Sequence, residues 1–194
     1  EVVNQVQQAF GYYHAHIYLF DEEKDTLLMV GGTGEAGQTL LDRGHSIERG
    51  QGLVGRAADA NLVVLVPDVY DEEGWLPNPL LPETKSEVAV PIAIGDEVLG
   101  VLDVQDEEAG RLDETDAELL QSIANQVATA LRNARAYQRA QQQADREALI
   151  GDVSEQIQRT SKVEEALQVA ARELGRALGK ETSVKLQVEK SNDQ

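Results

Sequence analysis

The stretch SEVAVPIAIGDEVLGVLDVQD at residues 86–106, followed by LDETDAELL at residues 112–120, decides the reading of this chain. Two runs rich in Val, Ile and Leu, residues 87–94 and 97–105, flank the Gly95-Asp96 pair. Such a pair between two strand-like runs is a hairpin signal, because the turn needs backbone angles that Gly and Asp tolerate. The period then changes. From Asp113 onward Leu120, Ile123, Val127, Leu131 and Ala134 recur at threes and fours, the spacing of a helix with one apolar stripe, and Asp113 or Thr115 is the candidate cap. That stripe suits either a seam between two parallel helices or packing on the domain's own sheet, and both uses are expected in succession.

Upstream, Val2, Val3, Val6 and Ala9 share a helical face that Gly11 ends. The run HAHIYLF, residues 14–20, alternates as a strand does, with Ala15, Ile17 and Leu19 on one face and His14, His16, Tyr18 and Phe20 on the other. The turn DEEKD leads into TLLMVGG, read as the returning strand of a hairpin. A glycine-rich stretch from Gly31 to Gly37, with no helix pattern after it, leads to a short extended HSIE. GQGLVGRAADA then places a short helix over Leu53–Ala60, and LVVLVPD reads as another strand. Four of the five prolines, Pro67, Pro77, Pro79 and Pro82, surround the single tryptophan, Trp75, so residues 67–84 are a long loop.

Downstream, QRAQQQADRE at residues 138–147 is polar but rich in helix formers and reads as an exposed helical connector. Apolar periodicity resumes through Leu149, Val153, Ile157, Val163, Leu167, Ala170, Leu174 and Leu178. Ser161 to Glu164 and Gly179 mark the start and stop of one helix within it. The closing TSVKLQV alternates like a strand and has no partner nearby. Three segments follow: a domain over residues 1–135, a connector over 136–160, and a C-terminal helix plus strand over 161–194, a fragment of a second domain or a docking extension.

Composition bounds the function. The net charge of −18 is confined to the first part: residues 1–131 hold 6 Lys and Arg against 25 Asp and Glu, whereas residues 132–194 hold 11 against 10. An acidic surface repels phosphate backbones, which argues against nucleic acid as a partner. The longest aliphatic run, Leu62–Val66, is far too short to span a bilayer, so no membrane partner is expected. The first residue stands mid-pattern, so the native amino terminus is expected to lie upstream. No signal sequence opens the chain, and a cytoplasmic location is expected. There is no cysteine, which removes disulfides, thiolate nucleophiles and thiolate metal sites.

Catalytic motifs are equally scarce. Two G-x-G-x-x-G strings, Gly32–Gly37 and Gly50–Gly55, lack the strand, turn and full helix that bring an amino terminus up to a pyrophosphate, and their glycines read as structural. His14, His16 and His45 make a haem or metal site conceivable, but a strand H-x-H without thiolate or carboxylate ligands at a recognisable spacing reads more readily as pocket lining. The acid pairs Glu22/Glu23, Glu72/Glu73 and Glu107/Glu108 fall in turns or loops and read as solvated residues. Trp75, with Leu76, Leu80 and Leu81, is either a mobile lid over a cavity or packing that holds the loop. No residue is assigned a catalytic role, and no metal ligand is assigned.

Taken in order, the elements resemble the GAF family of sensory domains over residues 1 to about 135. The resemblance is most specific from GQGLVGRAADA through LVVLVPDV to the hairpin and LDETDAELL. It implies an α+β fold: a central antiparallel sheet, expected to have five or six strands, with terminal helices packed on one face, a pocket on the other closed by the irregular segment, and a long C-terminal helical extension. It also implies dimers through the terminal helices, and effectors such as histidine kinases in two-component systems. The methionine sulfoxide reductase branch and the covalent bilin branch need cysteines that this chain lacks. Of the cyclic-nucleotide pattern, Asp116 fits, but Leu112 replaces the Phe and no Asn-Lys precedes.

The expected function is therefore non-catalytic sensing of a small molecule of unknown identity, with any cofactor left open, relayed through a dimeric terminal helix. The candidate ligand-binding residues are His14, His16, Tyr18, Asp68, Tyr70 and Trp75. A purely structural dimerisation module with an empty pocket and a haem or metal sensor through His14, His16 or His45 are the alternatives.

Overall fold

The computed structural model describes residues 2–158 and 163–179. The chain divides into two compact units, residues 1–133 and 134–194.

The first unit is built on one antiparallel sheet. Helix α1 (Val2–Phe10) stops at Gly11, whose φ of 72° is left-handed, and leads into β1 (His14–Phe20). β1 returns as β2 (Thr26–Gly32). After α2 (Gly34–Asp42), β3 (Ser46–Glu48) and α3 (Gly52–Ala60), the chain adds β4 (Val64–Val66) and then the irregular segment, which holds one short 3₁₀ turn at Val69–Asp71. The hairpin β5 (Ser86–Ile94) and β6 (Glu97–Asp106) turns at Gly95, with φ 60°. Helix α4 (Glu114–Gln158) follows. The sheet order is β3-β2-β1-β6-β5-β4, and every pairing is antiparallel. Strand β6, the last of the six along the chain, therefore lies between β1 and β5 at the centre.

Each strand's alternation feeds two separate cores. On one face Ala15, Val88, Val90, Ile92, Leu102 and Val104 meet Val3 and Val6 of α1 and Leu120, Ala124 and Ala128 of α4. On the other face Tyr18, Leu27, Ala89 and Val101 meet Leu40 of α2 and Leu53, Val54, Ala57 and Ala58 of α3. Helix α4 starts on a reciprocal cap: Asp113 Oδ1 accepts from the backbone N–H groups of Thr115 (2.7 Å) and Asp116 (3.1 Å), and Asp116 Oδ2 accepts from that of Asp113 (3.2 Å). Of the two candidate caps, Asp113 serves. Tyr12 Oη adds a 2.6 Å hydrogen bond to Asp116 Oδ1, tying the approach to β1 to the start of α4.

Two local expectations are corrected. The first glycine string is followed by a helix, α2, although its sequence shows almost no apolar stripe. Gly37 is buried in this helix, and a Cβ there would overlap the backbone of Gly32; the two glycines let α2 lie directly on the end of β2. Contact at backbone distance replaces the side-chain stripe that periodicity looks for. The strand expected over Leu62–Asp68 shrinks to Val64–Val66, where the chain pairs with Glu87–Ala89 of β5 before Pro67 ends the ladder.

In the second unit, α4 is exposed from residue 134 through residue 152; the polar run 138–147 accounts for part of this, and Tyr137, Leu149 and Ile150 are large apolar side chains exposed beside it. Helix α5 (Val163–Ala177) buries Ala171, and Gly179, with φ 64°, closes its end. Ser161 and the TSVKLQV stretch lie outside the described residues. Among the described residues, no helix is long and apolar enough to cross a membrane.

Candidate functional site

A cavity of about 590 Å³ opens on the sheet face opposite α1 and α4. Its floor comes from strands. β1 contributes His16 and Tyr18, β5 contributes Glu87, and β6 contributes Asp103 and Gln105. The register explains why these side chains meet. His16 pairs with Asp103 across β1 and β6, and Glu87 pairs with Gln105 across β5 and β6, so adjacent rungs of the ladder place all four on one face. The walls come from the end of α2 and β3 (Leu40, Arg43, His45, Ile47), the start of α3 (Leu53, Val54) and the irregular segment (Leu76, Asn78, Leu80).

The floor is a buried polar network. His16 Nδ1 lies 3.2 Å from Asp103 Oδ2, and the same oxygen accepts 3.0 Å from Gln105 Nε2. Gln105 Oε1 in turn accepts 2.8 Å from Thr84 Oγ1, which belongs to the irregular segment. Trp75 Nε1 donates 2.9 Å to Glu87 Oε2. His16 and Asp103 are each 1% exposed. The walls mix apolar side chains such as Leu40, Leu53, Leu76 and Leu80 with polar ones such as Arg43, His45, Glu48, Gln51 and Asn78, so a polar base sits under a mixed wall.

Burial sets the protonation states. Desolvation, and then the neighbouring charge of Asp103, pushes the Glu87 carboxyl well above the usual carboxylate range. Burial lowers His14 to about 4, with the adjacent His16 acting in the same direction. His45 is lowered for the same two reasons. The Tyr18 phenol is raised by burial and by the acids near it.

Of the residues singled out from sequence, the structure brings His16 and Tyr18 into the cavity wall. His14 stands one rung away, buried, its ring centroid 4.3 Å from that of His16, and its Nδ1 is 3.1 Å from Thr33 Oγ1. Trp75 reaches the site through Glu87. Asp68 and Tyr70 lie outside the wall: Asp68 Oδ1 accepts from the Tyr70 backbone N–H at 3.0 Å, and the Tyr70 ring is exposed and edge-on to Trp75. Glu87, Asp103 and Gln105 escaped notice, although each is a polar residue set among apolar ones in a buried strand. That interruption is the signal that finds them, once the strand is known to be covered on both faces. His45 also lines the wall, but among the described residues no group of three or more His, Asp or Glu side chains is arranged to hold a metal ion.

The family model for the GAF domain matches residues 1–132. The chain belongs to the GAF family. Its GAF domain is 28% identical over 122 residues to GAF domain-containing protein A of Dictyostelium discoideum, covering 63% of this chain and 72% of that protein. The GAF domain of the Acinetobacter phosphoenolpyruvate-protein phosphotransferase superposes with a TM-score of 0.60 at 25% identity, over 71% of this chain and 82% of that one. The free methionine-R-sulfoxide reductase of Neisseria meningitidis, solved with its substrate, gives a TM-score of 0.61 at 25% identity, over 70% of this chain and 77% of that one. The GAF fold thus occurs in both regulatory and catalytic settings.

Proposed function

We propose that this GAF domain is a non-catalytic, cytoplasmic sensor that binds a small molecule in the cavity and relays its occupancy through α4 to an effector such as a histidine kinase. The observation that carries the reading is the two-faced role of β6. Asp103 and Gln105 point into the cavity, while Leu102 and Val104 pack in the core that holds Leu120 and Ala124 of α4. A ligand that moves β6 therefore moves the helix, provided it binds one arrangement better than the other. From there the largely polar 136–160 stretch acts as the signalling connector, with 161–194 as a fragment of a second domain or a docking extension. The Neisseria relative holds its substrate on a similar fold, which supports a small-molecule role, but reduction of a sulfoxide by thiol chemistry has no cysteine to work with here.

Thermal unfolding in the presence of nucleotides, amino acids, haem and aromatic acids tests the pocket. A true ligand raises the midpoint with the logarithm of its excess over Kd. Silence across the panel would favour a structural module instead. That second reading draws on the apolar groove between α1 and α4, lined by Val2, Val6, Ala9, Phe10, Ile123 and Val127, which suits a second copy of the chain. Light scattering showing a monomer at high concentration would remove the dimer.

A further inference from the structure

We infer that residues 73–80 are a lid over the cavity, latched by the bond from Trp75 to Glu87 and hinged at Leu81–Thr84, and this rests on the ligand-pocket reading above. The attachments of the irregular segment lead there. Trp75 Nε1 donates 2.9 Å to Glu87 Oε2, and Thr84 Oγ1 donates 2.8 Å to Gln105 Oε1. Glu87 and Gln105 are partners on one rung of β5 and β6, so a strap running from Trp75 to Thr84 is pinned at both ends to the same place. The two ends differ. Leu81 and Thr84 are buried, and the next residue, Lys85, joins the sheet by donating its backbone N–H 2.8 Å to the Asp106 carbonyl. Trp75 is only partly buried. Among the described residues, its indole bond is the one hydrogen bond that ties residues 73–80 to the body of the domain. Their other bonds are local turns, from the Trp75 N–H to the Glu72 carbonyl, from the Leu80 N–H to Asn78 Oδ1 and from the Leu81 N–H to the Asn78 carbonyl. Breaking the indole bond therefore frees this stretch, while Glu72, held by Arg56 at 2.7 Å, and Thr84 stay fixed.

The stretch is stiff, and it covers something. Pro77 and Pro79 fix their own φ and keep Leu76 and Asn78 extended, so the piece moves as a unit. Leu76 through Leu80 form one wall of the cavity. Leu76 closes that wall on the start of α3, where a Cβ on Gly52 would lie 2.9 Å from Leu76 Cδ1. Leu76 is nonetheless 53% exposed, so this apolar contact adds little to the latch. Beneath the wall, the floor residues Tyr18, Glu87 and Asp103 are buried. Access to the floor thus turns on a single hydrogen bond, a barrier small enough for local opening without unfolding of the sheet.

The chain has no cysteine, so a single one placed in the cavity reports opening. Val54→Cys is close to isosteric, and Val54 lines the cavity and is buried. Iodoacetamide labels this thiol from the open state, at a rate set by the open fraction when reclosing outpaces labelling. Val90→Cys, in the core on the other face of the sheet, reports global unfolding. Labelling at Val54→Cys is expected to depend little on urea, because only a short stretch moves, whereas labelling at Val90→Cys should rise steeply with urea. Trp75→Phe is expected to speed labelling at Val54→Cys roughly fivefold or more, the factor carried by one bond to a buried acceptor. Glu87→Leu deletes the acceptor, keeps the indole and should do the same, while Glu87→Gln retains an acceptor and should stay near the wild-type rate. If both disruptive variants misfold, the urea dependence with the latch intact still tests the lid. Val54→Cys labelling that follows Val90→Cys in urea, or a rate unchanged in folded Trp75→Phe, overturns the inference. The ligand panel is read separately by thermal unfolding. A binder together with labelling that ignores the latch overturns the lid alone; a silent panel with latch-dependent labelling leaves the lid standing and removes the pocket reading.

Discussion

The Trp75 indole donates a 2.9 Å hydrogen bond to Oε2 of Glu87, so the irregular segment is fastened to β5 at a carboxyl group buried in the floor of the cavity. Trp75→Phe retains an aromatic ring beside Tyr70 and removes the donor. Leaving the buried acceptor unpaired is expected to lower the unfolding free energy by about 1–3 kcal/mol. Urea unfolding checks this, and a wild-type midpoint in the variant would mean that the bond does not hold the segment down.

His14 makes the domain sensitive to acid. Its folded value of about 4 lies below the ordinary 6.5, so between those two pH values the unfolded chain binds a proton that the folded one refuses. Stability from this group therefore falls as pH drops from 6.5 to 4. His14→Gln retains a hydrogen-bonding partner for Thr33 and cannot titrate. Unfolding measured across that window should show a flatter pH dependence in the variant; an unchanged slope would rule out His14 as the source.

Glu87 acts with the opposite sign. Its folded value is raised above the ordinary carboxylate value of 4.5, so the folded state holds the proton longer, and stability from this group is full below 4.5 and lost as pH rises through the raised value. Glu87→Gln mimics the protonated acid at every pH. The stability of the variant relative to wild type is expected to grow as pH rises above 4.5. A difference independent of pH would show that Glu87 titrates alike in the folded and unfolded chain, with no raised value.

Gly37→Ala tests the close seating of α2. A helix interior normally favours Ala over Gly by roughly 0.5–1 kcal/mol. Here the added Cβ would overlap the backbone of Gly32, so the change is expected to destabilise despite its better propensity. Gly34, with nothing near its Cβ position but a φ of 63°, serves as the comparison for backbone strain alone. Thermal unfolding showing Gly37→Ala more stable than wild type would contradict the contact.

Particular residues show how far sequence reaches. The Gly95-Asp96 hairpin, the facing of His16 and Tyr18 and the Asp113 cap were legible because each depends on neighbours within a few positions. Helix α2 was not, since its support comes from Gly32 meeting Gly37 rather than from a stripe. Asp68 and Tyr70 shared a loop with Trp75 in the sequence, yet an Asx-type bond turns them to the outside.

Local chemistry alone thus determined two hairpins, helices at both ends of the domain, a cysteine-free interior and a polar helical continuation, while the antiparallel sheet was what the family resemblance implied. Only the tertiary structure decided what the cavity floor contains. β6 inserts between β1 and β5, and that register sets Asp103 opposite His16 and Gln105 opposite Glu87. Side chains distant in sequence become a single site through strand pairing, a relation that periodicity along one strand does not encode.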